Sequence, residues 1–324
     1  MENGIHPGRE PAATRPGLYL EHKPRGPTSF SRVSAFVEEV RAAGMRPDKL
    51  PACHAGALDP FAEGLLLLLA GRATRLMDFL HPIPKVYQAE IVWGVETDSG
   101  DLLGNATFAG DPSALTAARL DEALAGKVGW QEQVPPAHSN KRVGGERAYR
   151  KAHRGEVVEL PPSRVYLHQA RFGAHRRQGG ESGTDAKPGI WSSTLELVCG
   201  GGYYVRALAR DLGRALGCGA HLAALRRTSI GPWNDPEPGK RELVAGEALL
   251  PWARVRRVDA READRLAARG PIPLGTMEPP SWELPSGFPD PQSPIRAVCD
   301  GRLVALVRES GGALQTAILL GAGL

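Results

Sequence analysis

Cysteine is scarce in this 324-residue chain: Cys53, Cys199, Cys218 and Cys299 lie far apart and form no C-x-x-C pair. That spacing argues against a structural zinc site and a disulfide framework, and points to a reducing, cytoplasmic compartment. Long apolar runs are equally scarce. The leucine-rich stretch at 65–70 is far too short to span a bilayer, so no membrane partner is expected. The opening residues, MENGIHPGREPAATRPG, lack the apolar centre of a signal peptide and read as a loose leader over 1–16. Net charge is only +4, which admits an anionic partner such as nucleic acid without requiring one.

Against these absences stand several patterned segments. SRVSAFVEEVRAAG (31–44) spaces Val33, Phe36, Val37 and Val40 for a helix ending at Gly44. FAEGLLLLLAGRATRLMDFL (61–80) reads as a largely buried helix and its continuation. VYQAEIVWG (86–94) alternates, placing Tyr87, Ala89, Ile91 and Trp93 on one strand face. TDSGD (97–101) follows as a hairpin turn and lacks the ligand spacing of a calcium loop. GAHRRQGGESGTDAKPGI (173–190) is Gly-rich and polar, an exposed loop. TLELVC (194–199) reads as a strand, and YYVRALARDLGRALG (203–217) as a helix burying Val205, Leu208, Ala209, Leu212 and Leu216. A boundary falls near 245–255. Beyond it come a short helix, a proline-rich stretch and three candidate strands at 295–299, 302–308 and 313–320, which suggest a small β-rich domain.

Two charged residues and one charged stretch carry chemical interest. HAGALDP (54–60) holds a lone carboxylate, Asp59, for which an Asx turn or a helix cap is the simplest use. Pro60 disfavours a helical conformation at Asp59, so the acid belongs on an extended loop. Arg206 falls in the first turn of a predicted helix, where a cation opposes the helix dipole and calls for a nearby carboxylate. The stretch 141–164 carries Lys141, Arg142, Arg147, Arg150, Lys151, Arg154 and Arg164 against Glu146, Glu156 and Glu159, with Tyr149 interleaved. Such an excess of cations fits either phosphate contacts or a solvated helix.

Taken together, HAGALDPFAEGLLLLLAGRATR, KVYQAEIVWGVETDSGD, VPPAHSNKRVGGERAYRKAHRGEVV and GGGYYVRALARDLGRALG…LRRT resemble the TruB family of tRNA pseudouridine-55 synthases. The resemblance runs in the family's order from KPRGPTS (23–29) to LRRTSIG (225–231), about two thirds of the chain. It implies an α+β pseudouridine synthase fold: a mixed, mostly antiparallel sheet with flanking helices. A catalytic domain would span 17–248, with an RNA-binding thumb at about 133–164, and a small C-terminal β-rich PUA-like domain would span 249–324. The implied activity is isomerisation of a uridine in the T-stem-loop of tRNA to pseudouridine. It needs no cofactor and no metal. The implied partner is the T-arm of tRNA, with no obligatory protein partner and a monomeric enzyme.

By the same resemblance Asp59 is the nucleophile, Arg206 its ionic partner, and Tyr87 the residue that stacks on the extruded base and moves a proton. His54 takes the place of the extruded nucleotide, and Leu222 makes an apolar contact to the base. Lys23 and Arg25 add phosphate or active-site contacts, and Tyr204 beside the arginine binds substrate. Lys141, Arg142, Arg147, Tyr149, Arg150 and Lys151 hold RNA in the thumb. Asn140, Arg142 and Tyr203 depart from the family pattern. A tRNA-binding or folding chaperone with vestigial catalysis is the alternative, since binding needs only the basic surface; a guide-RNA-dependent synthase with protein partners is a third reading.

Overall fold

The computed structural model describes residues 15–178 and 189–324; most of the expected leader and the centre of the 173–190 loop lie outside them. The chain divides into two compact units. One comprises 1–60, 64–83 and 232–324, and the other comprises 61–63 and 84–231.

The first unit begins with β1 (Gly17–Lys23) and α1 (Ser29–Ala42). Thr28 caps α1 by accepting from the Ser31 amide, and Val33, Phe36 and Val40 pack against Tyr19, Leu66 and Leu68, as the helical spacing predicts. β2 (Ala52–Ala55), the HAGALDP loop and β3 (Glu63–Ala70) follow. Here the helix expected over 61–80 is overturned. Its leucine run is a strand, succeeded by a 3-10 turn over 71–76 and a one-turn helix, α2 (Met77–Leu80). β1 lies antiparallel along β3 from Gly64 to Ala70, and β2 pairs with its C-terminal half. Leu65 to Leu69 are each at most 1% exposed. A strand covered on both faces is apolar at every position and so loses the alternation that would separate it from a buried helix.

The second unit opens with β4 (Lys85–Trp93), the hairpin β5 (Val95–Thr97) and β6 (Ala106–Ala109), α3 (Ala117–Ala125) and β7 (Gly129–Gln133). An inserted segment follows, with a hairpin of β8 (Arg142–Val143) and β9 (Glu146–Arg147) and the short helix α4 (Ala148–His153). Next come β10 (Ser163–Gln178), β11 (Ile190–Cys199), α5 (Val205–Ala215) and β12 (Ala220–Ile230). The strands lie in the order β12-β4-β11-β10-β7, all antiparallel. β4 buries Tyr87, Ala89, Ile91 and Trp93 as its alternation predicts, and α5 buries Val205, Leu208, Ala209 and Leu212. Leu216, expected inside, is the half-buried C-cap.

The remainder of the first unit contains β13 (Trp233–Asn234), β14 (Arg241–Val244), which pairs with β1, β15 (Val255–Arg257) and α6 (Ala260–Ala267). It ends with β16 (Ile272–Pro273), β17 (Ile295–Cys299), β18 (Arg302–Ser310) and β19 (Ala313–Leu319). β15-β17-β18-β19-β16 form a separate five-stranded sheet around Leu266, Ile272, Val307 and Leu314, with its last three strands where the sequence places them. Arg72 and Arg75 donate to the Leu320 and Leu319 carbonyls, tying the turn after β3 to this sheet. Among the described residues no helix is long and apolar enough to cross a membrane.

Candidate active site and RNA interface

Asp59 sits half-buried on an extended loop that leads into β3, with no helix following it to cap. Both neighbours are anchored. Ser29 Oγ accepts from the Leu58 amide (2.8 Å) and donates to the Leu58 carbonyl (3.0 Å), and the Gly26 amide donates to the Pro60 carbonyl (2.7 Å). The Ser29 bonds are buried, where each is worth more than in water. The carboxylate therefore has a rigid support, though the support is a buried strand and the start of α1 rather than a following helix.

Arg206 is only 3% exposed, in the first turn of α5. Its Nη1 donates to the Ser99 carbonyl (2.7 Å) and lies 3.4 Å from Asp101 Oδ2, while Nη2 donates to the His138 carbonyl (2.8 Å). Asp101 is itself buried, accepting at Oδ1 from Ser99 Oγ (2.7 Å) and the Leu103 amide (3.0 Å). The awkward cation at a helix start thus has a carboxylate inside its own unit, supplied by the turn that sequence reasoning took for a plain hairpin connection. Gly100 is required there: its φ is +74°, and a Cβ would come within 3.3 Å of the Arg206 side chain. Beside Arg206 a cavity of about 710 Å³ is lined by the same turn, Phe108, Pro135, Arg210 and Arg214.

Tyr87 is 7% exposed on the covered face of β4, with Leu197 of β11 and Arg227 of β12 opposite it. Arg227, itself 1% exposed, donates from Nη1 toward the Tyr87 hydroxyl (3.4 Å), and its guanidinium carbon lies 6.0 Å from the ring centroid. Two residues earlier on the same face, Lys85 is fully enclosed. Burial and the Arg227 charge bring its amine down to about 7, while Cys199, opposite it on β11, acts in the other direction. The Cys199 thiol is itself pushed up to about 12 by burial, so it is neutral at physiological pH.

The remaining expected site residues fall as follows. His54 lies on β2 opposite Leu68, on a strand rather than in a loop. Lys23 ends β1 fully buried and donates to the Pro24 carbonyl (2.9 Å), which removes it from any surface phosphate contact; Arg25 is exposed. Tyr204 is the N-cap of α5, its amide donating to Gln133 Oε1 (2.9 Å) and its carbonyl accepting from Gln133 Nε2 (3.0 Å). Leu222 is fully buried opposite Ile91. By register two aliphatic residues of β12 flank the Tyr87 position, Leu225 of the LRRT segment opposite Ala89 and Ile230 opposite Lys85. Tyr203, at a departure from the family pattern, is buried near Gln131, and burial raises its phenol above the ordinary range.

In the inserted segment the β8–β9 hairpin turns through Gly144 (φ +60°) and Gly145 (φ +86°), the pair of left-handed positions a two-residue hairpin needs. Not all of its cations are available. Arg154 is forked onto Glu146 (2.7 and 2.9 Å) and also bonds Glu156 (2.7 Å); the hydrogen bond from Arg154 holds the Glu146 carboxyl below its usual range. Lys151 lies 3.8 Å from Glu156. Lys141, Arg142, Arg147 and Arg150 are exposed and make no carboxylate pair among the described residues; Arg150 leans on the half-buried Tyr149. No group of three or more His, Cys, Asp or Glu among the described residues could hold a metal ion.

An antiparallel sheet, an insertion between β7 and β10, and a C-terminal five-stranded sheet define a pseudouridine synthase fold. The same fold is found in an H/ACA ribonucleoprotein bound to a substrate RNA containing 2′-deoxyuridine (TM-score 0.59, 17% identity, 95% of this chain and 86% of that one). It is found again in a Cbf5–Nop10–Gar1 complex (TM-score 0.59, 18% identity, 94% and 84%). The TruB family pseudouridylate synthase N-terminal domain matches 47–205, and the tRNA pseudouridylate synthase B C-terminal domain matches 206–250. Proteins named tRNA pseudouridine synthase B are similar over most of their length. The one from Thermobifida fusca (strain YX) is 34% identical over 312 residues, covering 94% of this chain and 98% of its own. Another, from Xanthomonas campestris pv. campestris (strain B100), is 40% identical over 233 residues, covering 72% and 68%. The chain belongs to the TruB family.

Proposed function

We propose that the chain isomerises uridine 55 in the T-stem-loop of tRNA to pseudouridine, with Asp59 as nucleophile. In this reaction the N1–C1′ bond breaks, the base turns within the pocket, and a C5–C1′ bond forms as the C5 proton leaves and N1 gains one. Atoms balance without a cofactor. Asp59 attacks, Arg206 acts as its ionic partner in the reaction, and Tyr87 stacks on the extruded base and moves the proton. His54 fills the space the nucleotide leaves, and Leu222 contacts the base. Lys23 acts from within the site, and Tyr204 meets substrate at the start of α5. Lys141, Arg142, Arg147, Tyr149, Arg150 and Lys151 hold the RNA. The enzyme acts as a monomer, without a protein partner, in the cytoplasm.

The observation that carries this reading is the Asp59 loop, fastened at Leu58 and Pro60 on either side of the carboxylate, in a chain of the TruB family. The purified protein is expected to form pseudouridine at one position of a tRNA transcript, and Asp59→Asn to abolish turnover while leaving tRNA affinity within about threefold. A variant as fast as the parent would reject Asp59 as nucleophile. A parent that binds tRNA and forms no pseudouridine would instead establish the chaperone reading.

A further inference from the structure

β10 is sixteen residues long, yet β7 covers only Ser163–Leu167 of it. Beyond that point its outer edge has no partner strand among the described residues, and its inner edge continues along β11, His175 opposite Ser193 and Arg177 opposite Trp191. The far end is chemically distinctive. The His175 ring stacks on Trp191 (centroids 5.3 Å, planes 26° apart), and its Nδ1 is 2.8 Å from Ser193 Oγ. The Arg177 guanidinium lies 5.9 Å from the centre of the Trp191 ring. Arg176 points to the opposite face, as strand alternation requires.

Arg176 and Arg177 are both exposed, and neither pairs with a carboxylate among the described residues. Arg171 on the same strand differs, its charge met by Glu196 at 2.8 Å. Charges along an open strand edge also discourage pairing between copies of the chain. That use needs neither an aromatic stack nor a guanidinium over it. Cations beside a stacked ring pair are the equipment of a surface that meets both phosphate and base.

We propose that this end of β10 and β11 is a second RNA-binding site, with His175 and Trp191 as the stacking surface, Arg177 as the phosphate contact beside them and Arg176 as a phosphate contact on the other side of the open edge. It is separate from the inserted segment and takes a part of the tRNA other than the target nucleotide. Trp93, the cross-strand neighbour of Trp191, lies six residues along β4 from Tyr87, which is about 20 Å of strand. A base held at Tyr87 cannot reach this edge, but another segment of the same RNA can. The inference rests on reading the chain as a tRNA-modifying enzyme.

The double variant Arg176→Glu, Arg177→Glu tests it, because it keeps the edge charged and soluble while reversing the sign that RNA would meet. Affinity for full-length tRNA is expected to fall on the order of tenfold, and the slope of log affinity against log salt to flatten by about 2, with kcat at saturating tRNA unchanged. Affinity and slope equal to the parent's would overturn the proposal, as would a variant that self-associates in light scattering while binding tRNA normally. An isolated T-stem-loop assayed in parallel locates the contact. A defect on the full tRNA alone places it beyond the stem-loop, and a defect on both places it on the stem. A parent protein that binds tRNA but forms no pseudouridine would reject the isomerase reading while leaving this comparison of affinities intact.

Discussion

Arg206 and Asp101 form an ion pair with both side chains almost wholly removed from solvent, Nη1 to Oδ2 3.4 Å, between the first turn of α5 and the turn before β6. Asp101 is held by Ser99 and Leu103, so it fixes the guanidinium rather than following it. Asp101→Asn retains an acceptor for both of those bonds and loses the charge. With Arg206 acting as proposed, kcat is expected to fall on the order of 10²-fold with KM little changed, because displacing such a cation by a fraction of an ångström costs that much. Asp101→Ala removes a buried carboxylate from the arginine's surroundings and is expected to lower unfolding free energy by about 3–5 kcal/mol in denaturant titration.

Ser29 supports Asp59 at one remove. Ser29→Ala removes both hydrogen bonds to the Leu58 backbone. A stability loss of about 1–3 kcal/mol is expected, together with a drop in kcat and tRNA affinity close to the parent's. Unchanged turnover in a variant that has lost stability would show that the loop needs no such anchor.

Lys85 predicts a pH dependence of stability. Burial lowers its folded-state value to about 7, below the ordinary 10.5 of the unfolded chain, so between those limits the unfolded state binds more protons. The sign follows: the cost of enclosing this amine is greatest below pH 7 and is relieved as pH rises toward 10.5, at up to about 1.4 kcal/mol per pH unit. Urea midpoints measured from pH 6 to pH 9 are expected to rise for the parent relative to Lys85→Met, which has no such titration. Parallel curves for the two proteins would place the amine in solvent.

The inserted segment predicts unequal cations. Arg142→Ala with Arg150→Ala is expected to flatten the salt dependence of tRNA binding by a slope of about 2. Arg154→Ala is expected to change it far less, since Glu146 and Glu156 already meet that charge. Filter binding across 50–300 mM salt compares them; a larger effect at Arg154 would reverse the assignment.

Local pattern made much of this legible. The alternation of β4, the spacing of α1 and α5 and the last three strands of the chain follow from residues within one turn or one pleat of each other, and they fold where the pattern puts them. The leucine run did not yield to the same reasoning, because a strand with both faces covered has no period to read. Leu225 and Arg227 were passed over in LRRT, although their alternation puts them on one face; that the face is Tyr87's is known only once β12 pairs with β4.

The sequence by itself determined the family, the lone acid before the leucines, the cation at a helix start and the excess of positive charge between β7 and β10. Each is a matter of residue type and order. Only the tertiary structure decided that Asp101 meets Arg206 from 105 residues away, that Arg227 stands over Tyr87, and which cations of the inserted segment lack a carboxylate partner among the described residues. Ion pairs and cross-strand neighbours depend on where distant segments are brought together, and the burial that gives them their strength does not exist until the sheet has closed around them.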